Sequence, residues 1–164
     1  MTKAADPSIH ASAVLVGTRA VLIRGASGAG KSSLAFELIL AGRAGQIAPA
    51  VLVGDDRVHL EARKGELIVR PAPALAGLIE IRGLGIRRCD FASEAAIGLV
   101  VDLGAADGQR LPEAEALTVQ IHGIAVRRVP VGPGFKALPL VIAALTTTAN
   151  SPSPAFVGLP EGNW

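Results

Sequence analysis

The apolar positions of this chain come in short bursts, and their spacing predicts strands and helices in alternation. Residues 13–16 and 20–24 are apolar runs separated by Gly17-Thr18-Arg19, which reads as two strands joined by a tight turn. Glycine then recurs through 25–32, and Leu34-Ala35-Phe36-Glu37-Leu38-Ile39-Leu40 predicts a helix that starts near Lys31 and ends at Gly42 through C-cap chemistry. Ala50-Val51-Leu52-Val53-Gly54 is a short continuous apolar run, the pattern of a buried strand. Residues 57–62 and 66–70, joined by Arg63-Lys64-Gly65, predict a hairpin. Pro71-Ala72-Pro73 breaks the pattern, a helical turn is expected at 75–78, and 78–86 is a β-favouring segment whose two glycines suggest a bend. Residues 97–102 read as a further buried strand, 117–121 and 124–129 as a hairpin around His122-Gly123, and 136–148 as a helix that tolerates Pro139 in its first turn. The stretch 150–164 carries three prolines with little periodicity and reads as a flexible tail, leaving one domain over 1–149.

Composition narrows this to a soluble α/β domain. With 164 residues the chain is long enough for one sizeable core. Half of the residues are apolar but only 3% are aromatic, so that core is built from Ala, Val, Leu and Ile. The net charge is only +2, and the basic residues fall in scattered pairs such as Arg87-Arg88 and Arg127-Arg128, a pattern that indicates no nucleic-acid face. Cys89 is the single cysteine, so no internal disulfide forms, and no Cys/His spacing resembles a zinc site. Residues 1–12 hold no continuous apolar stretch and the late apolar run is broken by Pro139, so the expectation is a cytoplasmic protein without a membrane segment.

The candidate chemistry centres on Gly25-Ala26-Ser27-Gly28-Ala29-Gly30-Lys31-Ser32, which fits the phosphate-binding pattern G-x-x-x-x-G-K-[ST] in a strand-loop-helix context. Glycines let the backbone bend and bring its N–H groups against phosphate oxygens, Lys31 reaches the terminal phosphates, Ser32 can ligate Mg²⁺, and the helix points its positive end at the same anion. Such a loop needs an acidic partner. Asp102 ends an apolar strand in the manner of a Walker B aspartate, whereas Asp55-Asp56 ends another strand with two adjacent carboxylates. Of such a pair, one can help hold Mg²⁺ while the other accepts a proton from an attacking hydroxyl. Pattern alone does not choose between the two strands. Glu80 alternates with Ile79 and Ile81, so it is either a solvent-facing residue or a carboxylate facing a metal. His10, His59 and His122 are each alone in sequence, and Arg110 reads as a loop arginine.

Four motifs in order resemble the catalytic domain of the HPr kinase/phosphorylase family, bacterial enzymes that phosphorylate a serine of the phosphocarrier protein HPr. They are His10, the loop 25–32, Gly54-Asp55-Asp56-Arg57-Val58, and Leu78-Ile79-Glu80-Ile81-Arg82-Gly83-Leu84-Gly85-Ile86. The resemblance implies a P-loop kinase fold with a central mixed β-sheet, related to phosphoenolpyruvate carboxykinase. It implies ATP and Mg²⁺ as cofactors, an HPr-like phosphocarrier as substrate, and a homo-oligomer, usually a hexamer. It also implies that Asp55 is the general base, that Glu80 and Ser32 hold Mg²⁺, that Lys31 contacts phosphate, that His10 assists near the catalytic aspartate, and that Arg110 contacts phosphate or substrate. Asp56 joins the metal candidates as the second carboxylate of its pair. Only about ten residues precede His10, as in a short form without the family's N-terminal domain. Residue 33 is Ser where longer relatives often have glutamate, and Phe135 stands where their late Gly-Arg-Asn segment has arginine, which leaves dephosphorylation by phosphorolysis open. Two other readings stand beside this one: a small-molecule kinase or NTPase that uses Asp102, and a regulatory module that binds nucleotide without transferring phosphate.

Overall fold

The computed structural model describes residues 7–150. The predicted tail therefore lies outside the described residues, apart from Asn150. The chain begins as β1 (Ile9–Val16), β2 (Arg19–Arg24), α1 (Lys31–Arg43) and β3 (Ala50–Gly54). It continues as the β4 (Arg57–Arg63) and β5 (Glu66–Pro71) hairpin, then the short β6 (Leu78–Ile81) and β7 (Gly85–Arg88) hairpin. β8 (Ala95–Leu103), β9 (Thr118–Ile121), β10 (Ile124–Val131) and α2 (Ala137–Thr146) complete it.

The main sheet is mixed, with its strands side by side as β3, β1, β2, β8, β10 and β9. β2, β8 and β10 run parallel, and β3 points the same way because β1 is antiparallel to both β2 and β3. The loops after these four strands therefore open at one edge of the sheet. The start of the antiparallel β1, with His10, lies at that same edge. The β4–β5 hairpin folds over one face, joined to β1 at Ile9 and His10 and to β8 at Ala95 and Ala96.

Strand alternation, with a register shift between β2 and β8 after Ala20 and Ile97, sorts the apolar side chains into two cores. Val21, Ile23, Leu99 and Val101 face the helix layer together with Leu34 and Leu38 of α1 and Val141 and Leu145 of α2. Ala20, Leu22, Ile97 and Val100 face the other way, against Val58, Leu60, Leu67 and Val69 of the hairpin. The largest fully buried side chains are Leu, Ile and Val, as the scarcity of aromatic residues requires. Each contributes roughly 1.5–3 kcal/mol relative to exposure.

Most expected elements are present with shifted ends. β1 starts at Ile9 rather than residue 13, because its small residues Ala11, Ser12 and Ala13 are buried between neighbouring strands. The turn expected at 75–78 is a 3-10 turn over Pro73–Leu75, and 78–86 is part of a separate two-stranded hairpin extending to Arg88. α1 does not end at Gly42. It runs to Arg43, and the left-handed position is taken by Gly45, with φ 76°. Gly42 is instead where α1 meets β3: a Cβ there would lie 2.7 Å from the Ala50 backbone nitrogen.

Candidate active site

The loop between β2 and α1 is shaped to receive an anion. Gly28 and Gly30 take φ values of 83° and 102°, open to glycine at no cost. Gly30 caps α1 without any side-chain hydrogen bond, and the first turn holds no acidic residue. The helix thus presents free N–H groups and the positive end of its dipole. The Lys31 ammonium donates to the carbonyl oxygens of Gly25 (2.8 Å) and Ala26 (3.1 Å), which holds it over the loop.

Beside the loop, the end of β3 delivers two carboxylates with opposite surroundings. Asp55 is 3% exposed and accepts hydrogen bonds from Ser12 Oγ (2.6 Å), Ser32 Oγ (2.8 Å) and the Glu80 backbone N–H (3.0 Å). These donors come from β1, α1 and β6, so one carboxylate joins three elements. Asp56, next in the chain, turns outward through a left-handed backbone, φ 67°, and its side chain is 65% exposed. His10 Nδ1 lies 3.8 Å from Asp56 Oδ1. Arg57 approaches His10 Nε2 at 2.7 Å, and with Arg57 as donor the ring proton sits on Nδ1, facing Asp56.

A hollow of about 500 Å³ gathers these groups: His10, the loop glycines, Lys31, Ser32, Asp56, Glu80 and Arg82 line it. Glu80 is exposed on β6, opposite to the buried Ile79, and it lines the hollow. Among the described residues no three His, Cys, Asp or Glu side chains converge as a ready cage for a metal ion. The donors at hand, Ser32 hydroxyl and the Asp55, Asp56 and Glu80 carboxylates, are hard oxygens. They fit Mg²⁺, which keeps waters and takes phosphate oxygens rather than an all-protein shell.

Asp102 does not share this hollow. On β8, Leu99 and Val101 face α1, so Asp102 faces the opposite side with Val100. There Arg24 clamps both of its oxygens at 2.7 and 2.8 Å and Arg128 adds a bond of 2.6 Å. Burial alone would push the Asp102 carboxyl up, but the hydrogen bonds and charges of the two arginines outweigh it and hold the group below the usual carboxylate range. Of the two candidate strands, the one ending in Asp102 thus carries its carboxylate in an ion-pair cluster with two arginines, away from the hollow. Arg110 also falls outside the residues that line the hollow; it is exposed in the loop between β8 and β9. His59 lies on β4 and His122 in the β9–β10 turn, neither against the hollow.

Sequence reading missed Ser12, Arg57 and Arg82. Ser12 carried a signal, as the polar residue inside a run of buried small and apolar positions. Arg57 and Arg82 stand inside the motifs 54–58 and 78–86, but neither was given a role, and the approach of Arg57 to His10 joins residues 47 apart in sequence.

Residues 2–151 match the family model described as the HPr Serine kinase C-terminal domain. A curated relative is the HPr kinase/phosphorylase of Mycoplasma mycoides subsp. mycoides SC, 40% identical over 77 residues, which are 47% of this chain and 22% of that protein. Among solved structures, the HPr(Ser) kinase/phosphatase from Coxiella burnetii superposes with a TM-score of 0.66 at 27% identity, over 85% of this chain and 88% of that one. The fold is thus a P-loop-type kinase fold with a mixed sheet.

Proposed function

The chain belongs to the HPr serine kinase C-terminal domain family, and on that premise we propose that it is an ATP- and Mg²⁺-dependent protein serine kinase acting on an HPr-like phosphocarrier. The observation that carries the reading is the hollow in which an anion-binding loop, with Lys31 and Ser32, faces an accessible carboxylate and imidazole, Asp56 and His10.

In this reading the loop N–H groups and Lys31 hold the phosphates of ATP and stabilise charge as the terminal phosphoryl group transfers. The substrate serine oxygen bonds to the terminal phosphorus, the bond from that phosphorus to the bridging oxygen breaks, and ADP leaves. The serine proton passes to Asp56. The general-base role moves here from Asp55, the first expectation, to its neighbour. Asp55 is buried and has its oxygens engaged by Ser12, Ser32 and Glu80, whereas Asp56 is open to the hollow and to His10. Asp55 instead orients Ser32, which with Glu80 would hold Mg²⁺; the ion, when bound, offsets phosphate charge. Arg82 faces the same hollow and is a further contact for phosphate or substrate, in place of Arg110.

The same reading includes a single kinase domain over 1–149, kinship with the phosphoenolpyruvate carboxykinase fold, a homo-oligomer such as a hexamer, and residence in the cytoplasm with the phosphocarrier. No helix among the described residues is long and apolar enough to cross a membrane. The small-molecule kinase that relies on Asp102 loses its support, since that carboxylate is held by Arg24 and Arg128.

The test is to incubate the protein with ATP, Mg²⁺ and an HPr-type phosphocarrier and to read the carrier's intact mass and modified residue. One phosphoryl group on a serine, lost in Lys31→Ala, is expected. ATP binding without modification of the carrier would favour the regulatory module, and adding inorganic phosphate to the product reads phosphorolysis.

A further inference from the structure

The phosphate loop has a second hollow on its other side. It encloses about 620 Å³ between the first turns of α1 and the segment that joins β10 to α2. Leu34, Leu103, Val131, Phe135 and Leu138 line it, together with the charged Glu37 and Lys136. The two hollows meet at Gly30 and Ser33, which line both.

Their chemistry differs. The first gathers carboxylates, a lysine, an arginine and a histidine, while the second is largely apolar and has an aromatic ring at its mouth. Phe135 is 43% exposed, so much of its ring is open to solvent beside the hollow that it lines. It follows Gly134, which takes φ 86°, and its backbone N–H donates to the Gly132 carbonyl at 3.1 Å. Gly132 in turn lies so close to Gly108 that neither position has room for a side chain. The ring is therefore carried on a tight turn braced by the loop after β8 and is partly open to solvent.

We infer that this second hollow receives the base and ribose of the nucleotide, with the Phe135 ring as the face on which the base stacks. The inference rests on the kinase reading above. Under that reading the phosphate that transfers lies beside Asp56 and His10, so the remainder of the nucleotide leaves the loop past Gly30 and Ser33, into the apolar hollow. A volume of this size accommodates a nucleoside, and a flat base gains from an exposed aromatic face whatever its hydrogen-bonding edge. Glu37, Lys136 and the backbone of 132–136 supply polar partners. Phe135 is then a binding residue that takes no part in the transfer itself.

The test compares two Mg²⁺-loaded ligands by calorimetric titration: ATP, and inorganic tripolyphosphate, which has the phosphates without base or ribose. Phe135→Ala is expected to raise the Kd for ATP about tenfold or more while leaving the Kd for tripolyphosphate within about twofold, and Phe135→Trp is expected to restore ATP binding. Because Phe135 is exposed, both variants are expected to melt with the unaltered protein. Unchanged ATP affinity in Phe135→Ala, or an equal loss for both ligands, overturns the inference and leaves the kinase reading standing. If the unaltered protein binds neither ligand, the kinase reading falls and the inference falls with it.

Discussion

The hydroxyl of Ser32 sits between the two oxygens of Asp55, at 2.8 and 2.9 Å, although the residues are 23 apart in sequence. This contact ties the first turn of α1 to the end of β3, and through Ser12 and the Glu80 amide the same carboxylate reaches β1 and β6. The phosphate loop is thus anchored from below by a buried group, while the groups suited to proton transfer stand above it.

Asp55 and Asp56, though adjacent, are expected to respond differently to substitution. Asp55→Ala leaves Ser12 Oγ and the Glu80 N–H without their acceptor, which costs about 1–3 kcal/mol for each group left unsatisfied. Its melting temperature should fall by several degrees, at about 2–4 °C per kcal/mol for a chain of this size. Asp56→Asn should melt within about 1 °C of the unaltered protein and yet transfer phosphate about 10²–10⁴-fold more slowly. Thermal melts and single-turnover transfer on the same preparations check this, and a fully active Asp56→Asn would remove the proposed base.

Lys31→Ala removes the one ammonium held over the loop by the carbonyls of Gly25 and Ala26. Transfer should drop by about 10²–10³-fold, the scale for losing a preorganised charge at the reacting group, with little change in stability. Retention of full transfer would mean that phosphate lies elsewhere.

Asp102 is predicted to matter for the fold rather than for the chemistry. Asp102→Ala leaves Arg24 and Arg128 without their shared partner, and a loss of about 1–3 kcal/mol is expected, read by chemical denaturation. Transfer per folded molecule should be unchanged. If Asp102→Ala folded normally and lost activity, the alternative that uses Asp102 as the metal-linked residue would be favoured.

The same carboxylate makes a prediction about acid. Its pKa in the folded protein is lowered, so its contribution is complete above the ordinary carboxylate range and is lost as pH falls through the lowered value. The stability gap between the unaltered protein and Asp102→Asn should be steady near pH 7 and narrow below about pH 4. Melts taken from pH 7 to pH 3 check the sign; a gap that widened in acid would contradict it.

Gly42→Ala tests the helix-strand contact. Inside a helix alanine is favoured over glycine by about 1 kcal/mol, but here the added methyl would lie 2.7 Å from the Ala50 nitrogen and 2.8 Å from its Cβ. Destabilisation of about 1–3 kcal/mol is expected, because backbone must shift to make room. A stabilised variant would show that α1 is free to move off β3.

Much of the fold was legible because its signals are local. Apolar runs bounded by glycine and proline marked nearly every strand, and the octet 25–32 marked the strand-loop-helix turn without any knowledge of distant residues. Element ends were less legible where tertiary packing overrode a local rule. Gly42 has the chemistry of a helix stop, yet it is glycine so that β3 can approach. β1 extends back to Ile9 because β2 pairs with it at Ala11 and Ser12 and β4 at Ile9 and His10.

The candidate site divides along the same line. The residue types were determined by the sequence itself: a loop lysine and serine, a pair of aspartates at a strand end, and an alternating glutamate. Which aspartate turns inward and which outward was decided only by the tertiary structure. Two neighbours in a chain share the same local signals, but one was turned inward to Ser12, Ser32 and the Glu80 amide, and the other outward to His10. Asp102 met the local pattern of a metal-linked residue, and only the arrangement of β2, β8 and β10 brought Arg24 and Arg128 to its oxygens. Hydrogen bonds and ion pairs across dozens of residues depend on strand order and on which face a side chain takes, and neither is written in any single stretch of sequence.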